Sequence, residues 1–157
     1  KVAIFRLDDK TGSPEVSVDE HLINQHRALL KDDELLIVQA TAQPDRFSGG
    51  LRIKVQAIWD LAAARCRFGK YLRVAVHVAA NGGASAIADL VREFPPQREV
   101  TEEGELLRGL PVRLSLLRDG AQCDLQLDDR ALFFPTDAAL ARWTAQAHEQ
   151  RAEVVFE

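Results

Sequence analysis

The amino-acid sequence predicts an α+β fold arranged as two small units, and three features carry that prediction. Short stretches alternate apolar and polar residues with period two, most cleanly Leu51-Arg52-Ile53-Lys54-Val55-Gln56-Ala57-Ile58. Other segments repeat apolar residues at three- and four-residue steps, the helical period. An Ala-rich helix ending near Gly69 separates an earlier group of such segments, 1–67, from a later one, 68–157. A length of 157 residues suits one ordinary domain or two small ones. Apolar residues at 46% and charged residues at 28% are globular proportions, which exclude a disordered or collagen-like class. No apolar run approaches the roughly 18 residues that cross a bilayer, and no signal-peptide pattern opens the chain, so a cytoplasmic setting is expected. With no Met and a start inside a strand-like run, the chain is expected to be a piece of something longer.

Element by element, residues 2–7 and 15–18 read as a hairpin around the turn formers Asp8-Asp9-Lys10-Thr11-Gly12-Ser13-Pro14. Leu22, Ile23, His26, Leu29 and Leu30 then mark a short amphipathic helix with Asp19 as N-cap, ended by Lys31-Asp32-Asp33. An apolar run over residues 34–43 and the alternating strand 51–58 follow. On that strand Leu51, Ile53, Val55 and Ala57 point one way, and Arg52, Lys54 and Gln56 the other. The loop between them, Pro44-Asp45-Arg46-Phe47-Ser48-Gly49-Gly50, offers an aromatic ring and a cation to a ligand. The second unit reads as a strand over 71–78, an Asn81-Gly82-Gly83 turn, a helix from Ser85 to Phe94 stopped by Pro95-Pro96, and a polar stretch to Gly109. Two strands flanking Asp119-Gly120 form the clearest hairpin. A short strand over 131–134, a helix opened by Pro135-Thr136 and running to about Glu149, and a strand over 152–156 complete the order β, α, β, β, β, α, β.

Chemistry-bearing motifs are few. The phosphate-loop, dinucleotide, zinc-protease and nucleophile-elbow patterns are absent. Cys66 and Cys123 stand apart without metal-ligand spacing and read as reduced, small apolar side chains. Asp8-Asp9 with His21 reads as solvated turn formers rather than an acid/base cluster. No cofactor, metal or catalytic residue is assigned. Charge distribution is more informative. The chain carries 20 basic and 24 acidic residues, a net charge of −4, so bulk charge does not draw it to nucleic acid. Yet from Arg46 to Arg73 seven basic residues face only Asp60, a local excess of six positive charges. Phe47, Trp59, Phe68 and Tyr71 are interleaved with them. That combination suits single-stranded nucleic acid; equally, the rings can be core and the cations a solubilising face.

The runs Ile4-Phe5-Arg6-Leu7-Asp8-Asp9-Lys10-Thr11-Gly12, Leu35-Leu36-Ile37-Val38 and Asp45-Arg46-Phe47-Ser48-Gly49-Gly50-Leu51-Arg52 resemble the oligonucleotide-binding (OB) domain near the C-terminus of the bacterial replicative polymerase, the DNA polymerase III alpha subunit. Ala62-Ala63-Ala64-Arg65 and the tail Glu153-Val154-Val155-Phe156-Glu157 continue the resemblance. It implies a partial five-stranded OB-type barrel whose first strand precedes Lys1, followed by a small mixed-sheet domain that binds the tau subunit of the clamp loader. The family's polymerase (nucleotidyltransferase) centre lies upstream, so the resemblance implies a non-enzymatic piece of a DNA-replication enzyme. By position it implies single-stranded DNA contacts at Arg46, Phe47, Arg52 and Lys54, and a tau-facing surface including Val154, Val155 and Phe156. A sliding-clamp contact is disfavoured, because Arg151 stands where the family's clamp peptides carry Gln. The rival readings are a protein-interaction module without nucleic-acid binding, and an OB domain from another nucleic-acid enzyme.

Overall fold

The computed structural model describes residues 1–78, 83–101 and 104–157. It is a sheet-rich α+β structure in two compact units, Lys1–Leu61 and Ala62–Glu157. The expected Asn81-Gly82-Gly83 turn lies outside the described residues, save that Gly83 begins a helix.

In the first unit β1 (Val2–Arg6) pairs antiparallel with β2 (Glu15–Asp19), as the hairpin reading requires. Their turn is tied by Asp9, whose Oδ1 accepts from the amides of Thr11 and Gly12 and from the Thr11 hydroxyl. Those hydrogen bonds, the Thr11 hydroxyl foremost, hold the Asp9 carboxyl below the ordinary carboxylate range. Helix α1 (Glu20–Gln25) is shorter than the apolar spacing suggests. Asp19 occupies its N-cap, but the side chain makes no capping bond and pairs instead with Lys54 Nζ at 2.9 Å. Past Gln25 the chain continues in turns, with the His26 carbonyl accepting from Leu29 N at 2.9 Å and Leu30 N at 3.2 Å.

β3 (Ile37–Pro44) and β4 (Leu51–Trp59) form a second antiparallel pair. The two pairs join through a parallel seam, Val16 opposite Ile53 and Ser17 opposite Lys54, giving the order β1-β2-β4-β3. These four strands do not close into a barrel. Val16, Val18, Val55 and Ile58 are the fully buried centre, with Phe5, Leu22, Leu36 and Ile53 packed half-buried around them. The alternation expected along β4 breaks near its end. Gln39 faces Ala57 and Ala40 faces Val55, so Gln56 is an extra residue on β4, a bulge. That insertion shifts the phase and brings Ile58 to the core side, three positions after Val55.

Helix α2 (Leu61–Phe68) begins at the last residue of the first unit, and the second unit holds the sheet β10-β5-β8-β9, made of β5 (Tyr71–His77), β8 (Val112–Arg118), β9 (Ala121–Gln126) and β10 (Ala152–Val155). β5 and β8 run parallel, and the outer pairs are antiparallel. Helices α3 (Gly83–Glu93) and α4 (Asp137–Gln146) contribute Leu90, Ala139 and Trp143 to the core with Leu72, Val74, Leu110, Val112 and Phe133. Phe133 and Trp143 stack at a tilt, 5.4 Å between centroids. Thr136 caps α4, its hydroxyl accepting from Ala139 N at 3.1 Å.

Three expectations need correction here. The polar stretch before Gly109 is an antiparallel ribbon, β6 (Gln97–Thr101) with β7 (Gly104–Arg108), held across its strands by ion pairs of Arg98 with Glu105 and Arg108 with Glu99. Residues 131–134 are no strand; Phe133 makes one bridge to Leu110 after a 3-10 turn over Asp129–Ala131. The last helix ends at Gln146, where Ala147 turns to extended backbone (φ −71°, ψ 145°); beyond it Glu149 (φ 52°) and Gln150 (φ 57°) adopt left-handed backbone that costs a non-glycine residue about 1–2 kcal/mol each.

Candidate nucleic-acid interface

Residues 45–50 connect β3 to β4, and Asp45 organises them. Its Oδ1 accepts from Phe47 N at 3.2 Å, its Oδ2 from the Ser48 hydroxyl at 2.8 Å, and its carbonyl from Gly49 N at 2.9 Å. Asp45 N donates to the Gly50 carbonyl at 2.8 Å, closing the loop base. Gly49 sits at φ +72°, where a side chain would be strained. The Ser48 hydroxyl first, then the Phe47 amide and nearby Arg52, hold the Asp45 carboxyl below the ordinary carboxylate range. Because the polar groups bond inward, the Phe47 ring is left outside, 96% exposed.

Next to this loop lies the solvent face of the sheet. Arg52, Lys54 and Gln56 are exposed while Ile53 and Val55 face the core. Lys54 stands between Thr41 on β3 and Ser17 on β2, and Arg52 lies opposite Gln43. Two of the cations already have carboxylate neighbours: Arg52 reaches Asp45 at 3.8 Å and Lys54 reaches Asp19. Such exposed pairs contribute about 0–1 kcal/mol, so a phosphate can displace them. Arg46 is exposed and has no ion-pair partner among the described residues.

The remaining cations of the run belong to the second unit. Arg65 is a strut, 15% exposed, bound to Asp137 at 2.7 Å and the Pro135 carbonyl at 2.9 Å. Arg73 meets Glu153 at 3.2 Å and the Tyr71 hydroxyl at 3.1 Å. Along the C-terminal strand, Val154 packs against the core, Val155 lies half-buried opposite Tyr71, and Phe156 is 50% exposed. The residues not singled out from the sequence are the scaffolding pair Asp45 and Ser48, and Asp19 as the partner of Lys54. An Asp followed by Ser and two glycines is a turn signal that could have identified the first two.

No protein-family model matches the chain. The DNA polymerase III subunit alpha of Escherichia coli strain K12 is 30% identical over 157 residues, 100% of this chain. This chain is similar to one region of DNA polymerase III subunit alpha. The Pasteurella multocida alpha subunit is 24% identical over the same 157 residues, and the Pseudomonas aeruginosa alpha subunit 32% identical over 77 residues, 49% of the chain. The chain spans 13% of the length of the E. coli and P. multocida alpha subunits. Similarity to the alpha subunit thus covers both units, including the loop that carries Phe47. Among the described residues no helix is long and apolar enough to cross a membrane.

Proposed function

We propose that this chain is the C-terminal region of a cytoplasmic, replicative DNA polymerase III alpha subunit, a piece that binds and docks while the polymerase reaction belongs to other parts of the parent. The first unit is an OB-type module for single-stranded DNA, and the second docks the tau subunit of the clamp loader. The antiparallel pairs β1–β2 and β3–β4, with α1 between them, support that reading. The observation that carries the DNA-binding assignment is the Asp45-organised loop holding Phe47 in solvent beside Arg46 and Arg52. Cations there neutralise phosphates and release counterions, while the ring stacks on a base.

The test is binding of a labelled oligothymidylate across a salt series. Wild type should bind at low salt and lose affinity steeply as salt rises; the double variant Arg52→Glu, Lys54→Glu should lose binding at low salt. Undiminished affinity would refute this surface. A second reading, a protein-interaction module without nucleic-acid binding, is favoured by the carboxylates already beside Arg52 and Lys54. Mixing the chain separately with oligonucleotide and with the tau C-terminal domain distinguishes the two.

A further inference from the structure

The helices of the second unit cover one face of its sheet; the other face carries a polar cleft of about 360 Å³, lined by Arg73, Ala75, Ser115, Gln150, Arg151 and Glu153. Its floor is small: Ala75 and Ser115 stand opposite one another on β5 and β8 and are 4% and 6% exposed. Ser115 donates to Asp124 Oδ1 at 2.7 Å. One wall is a fixed guanidinium, Arg73, held between Tyr71 and Glu153. The other is Arg151, whose backbone is pinned by bonds from Ala75 N to its carbonyl at 2.9 Å and from its N to the His148 carbonyl at 3.0 Å. Its side chain is exposed and makes no ion pair among the described residues. The strained pair Glu149 and Gln150 delivers Arg151 to this position, and such strain tends to persist where it serves a site.

The geometry points to a socket for the carboxylate of an acidic segment in a protein partner. Guanidinium groups match carboxylates in shape and charge, and Arg73 is already oriented. A cleft of this volume admits one or two side chains. Single-stranded nucleic acid fits less well. The Arg113 guanidinium covers one face of the Tyr71 ring, 3.9 Å from its centroid, and closes that face to a base. Glu153 and Asp124 flank the socket and would repel a run of phosphates more than one carboxylate. This inference rests on the reading of the second unit as a docking module and names the chemistry it receives.

The experiment is an amide NMR titration of the whole chain with an end-blocked nine-residue peptide of Glu, Leu and Gly. Its controls are the same peptide with Gln for Glu, and oligothymidylate. Saturable shifts at Arg73, Ala75, Ser115 and Arg151 are expected with the Glu peptide, at least ten-fold weaker with the Gln peptide and with Arg151→Glu, and intermediate with Arg151→Lys. Unshifted amides, equal binding of the Gln peptide, undiminished binding by Arg151→Glu with its other resonances in place, or the same amides responding to oligothymidylate would each overturn it. Tau is measured in parallel: failure of wild type to bind tau rejects the docking reading itself, whereas tau binding with no response at the socket rejects only this inference.

Discussion

Phe47 and Arg151 share a design: each is held outward by a backbone whose polar groups are satisfied elsewhere. For Phe47, the consequence is that its ring has no folding role. Phe47→Ala should therefore leave thermal stability unchanged while weakening oligothymidylate binding by the roughly 1–3 kcal/mol that a base–aromatic stack contributes, about 5- to 150-fold in Kd. Equal Kd values for the two proteins would remove the ring from the interface. At this scale the sequence was readable where local chemistry is self-contained. Asp8 to Gly12 announces a turn, and Thr136 announces a helix start, because each satisfies its own backbone. The left-handed Glu149 and Gln150 carry no such signature, since glycine or asparagine is the usual residue for that backbone.

Among the elements, β4 was legible through its alternation up to the point where Gln56 bulges, a change produced by pairing with β3 and so invisible along one strand. The β6–β7 ribbon is unmarked in the sequence for a different reason. Val100, Leu106 and Leu107 are exposed, so neither face was marked by burial, and its cross-strand ion pairs look like ordinary surface charge in sequence. Helix α2 ends against a tight junction: Gly69 N donates to the Arg65 carbonyl at 2.8 Å, and a Cβ at Gly69 would lie 2.9 Å from Leu110 Cδ1 and 3.3 Å from Val154 Cγ1, besides meeting the Arg65 carbonyl. Gly69→Ala should cost about 1–3 kcal/mol of second-unit stability by overpacking, read as a lower urea midpoint with unchanged slope. A midpoint equal to wild type would mean that the junction relaxes freely.

Taken as a whole molecule, the chain divides its apolar burial unevenly. Among the described residues four form the buried centre of the first unit and ten that of the second. In the first unit β3 is largely exposed, and β1 and β3 each end the sheet with an unpaired edge. Amide exchange over residues 1–60 should accordingly run at least ten-fold faster than in β5 and β8; uniformly slow exchange would contradict this. The α+β class and the order of most strands were legible from periodicity, whereas which cations share a surface was not. Arg65 reads like Arg52 and Lys54 in sequence, yet it is a largely buried strut to Asp137 and the Pro135 carbonyl, whereas Arg52 and Lys54 hold only exposed pairs.

The parallel seam between β2 and β4 also bears on how the sheet assembles. Each flanking hairpin closes over a short turn, but the seam matches Val16 with Ile53 across α1 and all of β3. Loop-closure entropy therefore weighs more on the seam than on either hairpin, and the seam raises the contact order of this sheet.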